Sequence, residues 1–113
     1  MQPRDKQVID KIIAETDVLS NIVEDISLDK FLDDEIVKRA ASMTLINIGE
    51  LVKSLSDEVR LANKNIPWRL IAGFRDIAAH KYQTLNMTDV WHTITDDVPV
   101  FKAKLNSLLV RDK

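Results

Sequence analysis

The run Arg75-Asp76-Ile77-Ala78-Ala79-His80-Lys81-Tyr82 brings a guanidinium, a carboxylate, an imidazole and a phenol into eight residues. Arginine is a permanent, forked cation whose donors match the oxygens of a phosphate or of its pentavalent transition state. Histidine titrates near neutrality and can take or give a proton. RNA carries its own nucleophile, the 2′-hydroxyl. Cleaving its backbone therefore needs little beyond a proton shuttle and a cation beside the charged phosphorane. Arg75 and His80 are thus a candidate catalytic pair for metal-independent cleavage of RNA. Asp76, four residues before His80, is spaced to hold the second ring nitrogen and fix the tautomer. Each residue also has an ordinary reading: Arg75 and His80 as surface decoration, Asp76–His80 as a surface helix pair, Tyr82 as helix-end packing.

Spacing sets a condition on this chemistry. Five residues separate Arg75 from His80, so on a straight helix they point ~140° apart. One copy is awkwardly arranged for both to grip one phosphate. A two-fold axis passing Ala72 and Ala79, whose small side chains allow close approach, would gather Arg and His from two chains in one cleft. Alternatively, His80 lies past the last helical turn and swings round. Tyr82 returns to the Arg75 side if the helix persists. Glu50, which follows Gly49, is either a satisfied polar residue or a partner for Arg75 or Arg69. His92 reads as structural or exposed, and Trp68 and Trp91 as anchors of helix packing.

Other chemistries find little support. There is no Cys, hence no disulfide, thiolate metal site or cysteine nucleophile. No HExxH, Walker-type loop or acidic cluster of metal spacing occurs, so neither metal nor cofactor is expected. The formal charge is −2 overall. From Lys53 to Tyr82, however, six Lys or Arg face only Asp57, Glu58 and Asp76, a local +3 that leaves −5 elsewhere. Such asymmetry positions a phosphate without coating a duplex. The charged N-terminus MQPRDKQVIDK has no apolar signal region, and no apolar run approaches the ~18 residues that span a bilayer. A cytoplasmic chain with no membrane partner is expected.

Helices must position these groups. Only two Gly and three Pro occur in 113 residues, which favours long helices in one domain over residues 1–113. Val8, Ile9, Ile12, Ile13, Thr16, Leu19, Ile22, Val23 and Ile26 recur at helical spacing. The pattern breaks from Ser27 to Asp33, where Ser27 or Asp29 can cap a second helix. It resumes through Ile36, Val37, Ala40, Thr44, Ile48, Leu51, Val52 and Leu55. A third helix is predicted from Trp68 to about Lys81, with Leu70, Ile71, Phe74, Ile77 and Ala78 facing the core. A fourth starts at Met87 or Thr88 and continues through Trp91, Ile94, Val98, Phe101, Leu105 and Leu108, kinked at Pro99. The fold expected is an all-α, four-helix up-down bundle.

Several stretches resemble one known family. Asn47-Ile48-Gly49-Glu50, Ile66-Pro67-Trp68-Arg69, Ile71-Ala72-Gly73-Phe74-Arg75-Asp76, His80-Lys81-Tyr82, Val90-Trp91 and Asp97-Val98-Pro99 are similar, in order, to the HepT-like toxins of the HEPN superfamily. The resemblance implies a homodimeric HEPN-like bundle that cleaves RNA as the toxin of a toxin–antitoxin pair. Arg75 and His80 would be catalytic, Asp76 a supporting polar residue, and Tyr82 the site at which a minimal nucleotidyltransferase antitoxin attaches AMP. The alternative is a non-catalytic helical dimer that binds and tunes such a nucleotidyltransferase. Lys81 departs from the acidic residue that this family often carries between its His and Tyr.

Overall fold

Pro3 lies in the first turn of α1 (Pro3–Val23), where a missing N–H costs nothing. The helix buries Val8, Ile9, Ile12, Thr16 and Leu19 on one stripe. Thr16 is satisfied there, its hydroxyl donating to the Ile13 carbonyl at 2.6 Å. The chain then turns at Asp25, whose φ of 61° is one that short polar side chains tolerate. In this computed structural model, which describes residues 1–112, the remaining elements are also helical.

The interruption expected at Ser27–Asp33 is a short helix, α2 (Leu28–Asp33), with the Ser27 hydroxyl accepting from Lys30 N–H. It serves to bury Phe31, whose ring lies 5.2 Å from that of Trp91. The cap of the next long helix, α3 (Glu35–Lys53), is Asp34 and not Ser27 or Asp29; its carboxylate accepts from Val37 N–H at 3.0 Å. A second short helix, α4 (Asp57–Ala62), starts from Ser56 and inserts Val59 into the core. Pro67 sits one position before α5 (Trp68–Lys81). A 3₁₀ turn, Tyr82–Thr84, leads to α6 (Met87–His92), whose cap Asn86 accepts from Thr88 and Asp89 N–H.

Just before Pro99, the hydrogen bonding changes register. A π turn spans Thr93–Asp97, with Val98 N–H reaching back to the Thr93 carbonyl, and α7 (Val98–Arg111) follows. Pro99 stands in the first turn of α7, where it forfeits least.

Contacts along the helices fix their directions. Asp5 meets Ser56 and Glu15 meets Asn47, so α1 and α3 run antiparallel. Asp76 meets Lys53 and Tyr82 meets Glu35, so α3 and α5 do likewise. Met1 with Asp112, and Asp17 with Lys102, run α7 back along α1. The four long elements therefore form an all-α up-down bundle. Its centre holds Ile9, Ile12, Leu19, Leu45, Ile48, Val52, Ile71, Phe101 and Leu105. Each of these side chains contributes ~1.5–3 kcal/mol by leaving water. Trp68 closes one end, its ring edge-on to Phe101 at 5.8 Å and its indole N–H donating to the Asn63 carbonyl. Among the described residues no helix is long and apolar enough to cross a membrane.

Two expected stripes hold only in part. On α3, Thr44, Ile48 and Val52 are buried and Val37 and Leu51 pack against the core, but Ile36 is 81% exposed and Ala40 faces water, while Ala41 and Leu45 are buried. On α5, Ile71 and Ala78 are buried and Phe74 packs against the core, but Leu70 and Ile77 are exposed. Ala72, expected on the outer side, packs against this chain's own core.

One buried ion ties the bundle's end together. Asp5 is 3% exposed. Its carboxylate accepts from Ser56 N–H at 2.9 Å and from the Ser56 hydroxyl at 2.7 Å. Burial raises its pKa, but the two Ser56 bonds outweigh this and hold it below the ordinary value. A depressed carboxylate stabilises the fold above its ordinary pKa and ceases to as pH falls through the lower folded value. Asp5→Asn should therefore cost ~1–3 kcal/mol at neutral pH. In urea titrations the gap from the unsubstituted protein should narrow below about pH 4. A gap that persists undiminished at low pH would contradict this account.

Candidate active site

Arg75 owes its position to Gly49. A Cβ built on Gly49 would overlap Arg75 Cβ and stand 2.9 Å from Arg75 Cγ and 3.1 Å from the Ile71 carbonyl oxygen. The missing side chain lets α3 and α5 touch backbone to side-chain base, so the stem of Arg75 lies in the helix contact. This close approach is also why the buried face of α5 is turned away from Leu70 and Ile77. The other glycine, Gly73, has nothing within 4 Å of its Cβ position.

The guanidinium emerges from that contact already held. Its Nε and Nη2 donate to Glu50 Oε1 at 2.9 and 2.5 Å, and its Nη1 donates to Asp76 Oδ1 at 2.9 Å. These bonds, Glu50's foremost, push the Arg75 pKa above its ordinary value. Glu50 thus meets Arg75, one of the two partners open to it from the sequence. Asp76 does not meet His80. Its carboxylate is taken by Lys53 Nζ at 2.6 Å and by Arg75, bonds that lower its pKa.

His80 lies within α5, one residue before its end, and is exposed. It has not swung past the last turn, so the divergence from Arg75 expected of a straight helix stands. Lys81 then leaves helical geometry at φ −140° and ψ 36°, and Tyr82 opens the 3₁₀ turn. The helix does not persist, and Tyr82 does not return to Arg75. Its hydroxyl donates to Glu35 Oε1 at 3.4 Å, and its ring lies beneath the Arg39 guanidinium, 5.0 Å from centroid to Cζ. Glu35 and Glu50 are fifteen residues apart on α3, ~22 Å along its axis. Tyr82 and Arg75 thus dock at opposite ends of that helix.

Electrostatics differ at the two ends. Burial foremost, helped by the Glu35 charge, raises the Tyr82 pKa. Lys38, followed by Arg39, lowers that of Glu35. A groove of about 800 Å³ beside Tyr82 is lined by Arg39, Ala79, His80, Lys81, Tyr82, Gln83 and Thr84. His80 contributes to this concavity. Among the described residues no group of three or more His, Asp or Glu side chains could hold a metal ion. His92 is exposed beside Asp96, and both tryptophans pack against phenylalanines.

Sequence reasoning misses Glu35, Arg39 and Lys53, the side chains that meet Tyr82 and Asp76 from α3. No local pattern marks them; each lies more than twenty residues upstream of its partner, and only the antiparallel packing joins them.

Comparison with known proteins places the chain. The family described as ribonuclease HepT-like matches residues 12–108. A protein of Caldanaerobacter subterraneus provisionally named an RNase is 33% identical over 105 residues, covering 93% of this chain and 94% of its own. A Methanocaldococcus jannaschii protein, also provisionally named an RNase, is 28% identical over 110 residues, covering 96% and 95%. A Thermococcus cleftensis protein bearing the name "Probable ribonuclease HepT" is 27% identical over 108 residues, covering 96% and 98%. No solved structure matches this chain. With a single family spanning nearly all of its helices, the chain belongs to the HepT-like ribonucleases.

Proposed function

We propose that the chain is a metal-independent endoribonuclease, the toxin of a toxin–antitoxin pair, working as a homodimer. The observation that carries this reading is Arg75 held rigid by Glu50 and Asp76 while His80, on the same helix, lines an open groove. One chain presents the cation and the proton shuttle on different sides of α5. A second copy brings its own α5 alongside, so that imidazole and guanidinium from both chains surround one phosphodiester.

The surface for that pairing is the outer side of α5. Leu70 and Ile77 are half exposed, with Gly73 and its open space between them. This seam replaces the Ala72 and Ala79 track, since Ala72 is occupied within the chain. His80 comes three residues after Ile77, so joining the seams draws the two imidazoles toward each other.

In the reaction, His80 takes the proton of the 2′-hydroxyl as its oxygen attacks phosphorus. The bond from phosphorus to the 5′ oxygen breaks, that oxygen leaves with a proton from the second His80, and a 2′,3′-cyclic phosphate remains. Arg75 neutralises charge growing on the phosphorane oxygens. Cleavage should persist in excess EDTA and leave cyclic phosphate ends. Ile77→Asp should yield monomers in sedimentation and lose at least ~10²-fold in cleavage. A strict divalent-metal requirement, or a fully active monomer, would defeat the reading.

Regulation centres on Tyr82. A partner nucleotidyltransferase would join the phenol oxygen to the α-phosphorus of ATP, releasing pyrophosphate and the phenol proton. A base on the partner would accept that proton. The attached phosphate would repel RNA from the His80 groove. Incubation with that partner and ATP should add the mass of AMP to the chain but not to Tyr82→Phe. Equal labelling of both would remove Tyr82 from the scheme.

A further inference from the structure

Arg75, though the motif's cation, already answers to two carboxylates. The groove beside His80 holds another arginine in a different state. Arg39 comes from α3, and its side chain is 62% exposed. Its one hydrogen bond among the described residues is from Nε to the exposed Glu35 carboxylate at 2.8 Å. The Nη donors, the pair that grips a phosphate bidentately, make no such bond among those residues. An exposed carboxylate screened by water binds a guanidinium weakly and yields to a better-placed anion.

Tyr82 supplies what an exposed arginine lacks, a fixed plane. Its ring supports the guanidinium from one face at 5.0 Å, which limits the rotamer freedom lost when a ligand arrives. Glu35 anchors both, bonding Tyr82 through Oη and Arg39 through Nε. His80 and Lys81 line the same groove. A smaller hollow of about 320 Å³, lined by Glu35, Lys38, Arg39, Tyr82, Gln83, Leu85 and Met87, continues past the Arg39–Tyr82 stack. The groove thus has a route for a strand that passes His80 and then meets a second cation.

We propose that Arg39, presented by Tyr82 and Glu35, binds a phosphate of the RNA strand next to the one cleaved at His80, and so positions the substrate. This rests on the reading of the His80 groove as the RNA-cleaving site. It adds a consequence for modification: a phosphate attached to the Tyr82 oxygen would stand within reach of Arg39 and occupy the donors meant for RNA.

The test uses the full chain and a 2′-O-methyl RNA oligonucleotide, which lacks the nucleophile and survives in every variant. Binding is measured by fluorescence anisotropy from about 25 to about 200 mM salt, a range over which counterion release is readily seen. Arg39→Ala should weaken binding about 5- to 20-fold at the lowest salt. It should also reduce the slope of log K against log salt by ~0.7, the value for one phosphate contact on a single strand. Arg39→Lys should restore the slope but only part of the affinity, since a point charge replaces the fork. Lys102→Ala removes a cation paired with Asp17 on another face and should leave the slope unchanged. On cleavable RNA, Arg39→Ala should raise KM far more than it lowers kcat. Unchanged affinity and slope in Arg39→Ala, with the unsubstituted chain still cleaving, would overturn Arg39 alone. An unsubstituted chain that binds no RNA would overturn both readings. Arg39-dependent binding without cleavage would support the phosphate seat and count against the catalytic scheme.

Discussion

Replacing His80 with alanine should reduce RNA cleavage by ~10³-fold or more while leaving the fold intact. A positioned proton shuttle is worth ~10²–10⁴-fold, and here the substitution removes the imidazoles of both copies, hence both proton transfers. The side chain is exposed and not part of the core, so its loss creates no cavity. Arg75→Ala should cost ~10²–10³-fold, the usual loss on removing one group that stabilises transition-state charge. The double variant should lose far less than the product of the two, because residues that act on one transition state are not independent. Rates from a defined oligonucleotide, paired with circular dichroism of each variant, separate chemistry from folding. Folded His80→Ala that cleaves at the normal rate would end the proposal that this imidazole moves the protons.

The second large effect is expected far from RNA. Gly49→Ala would ordinarily favour a helix by ~1 kcal/mol. Here the new methyl would overlap Arg75 Cβ, an atom fixed to the α5 backbone, so no rotamer change relieves it. The helices must separate, and overpacking of this kind costs ~1–3 kcal/mol. Because the overlap is with an atom that cannot move aside, the cost falls in the upper part of that range, and the net loss in stability should be about 1–2 kcal/mol, roughly 5–10 °C in Tm. Cleavage should suffer more. Shifting α5 displaces Arg75 from Glu50, and a misplacement of ~1 Å costs ~10²-fold in a well-aligned site. Thermal unfolding and single-turnover cleavage check the two parts separately. A variant as stable and as active as the parent would show that the close crossing has no functional weight.

Much of the fold is legible in spacing alone. Long apolar periodicities locate α1, α3, α5 and the joined α6–α7, and Met87 does open the last. Two features escape this kind of reading. The helices α2 and α4 have six residues each, too few for a period, though Ser27 and Ser56 before them are ordinary caps. The rotation of α5 escapes for a different reason. Leu70 and Ile77 look like core residues because periodicity shows that a stripe exists, not which side the neighbour takes. That side is chosen by Gly49, a residue on another helix. The candidate site divides in the same way. Arg75, His80 and Tyr82 stand out because their types and spacing are local. Local spacing also pairs Asp76 with His80, yet Lys53 from α3 competes for that carboxylate and bonds it at 2.6 Å.

The π turn at Thr93–Asp97 has a bearing on how this chain tolerates changes in length. Across it the buried side chains advance from Val90 of α6 to Ile94 to Val98 of α7 in two successive steps of four. In a regular α-helix those eight residues overshoot two turns by ~80°. The wider turn takes up the surplus, so that Val90 on one side and Phe101 on the other address the same core. Deleting one residue there would yield a tidier ladder of hydrogen bonds but a worse protein. The C-terminal helix would be rotated by about a quarter turn, exposing Phe101 and Leu105 to solvent. The irregular turn works as a phase corrector, and the seam of the bundle depends on the odd residue it stores.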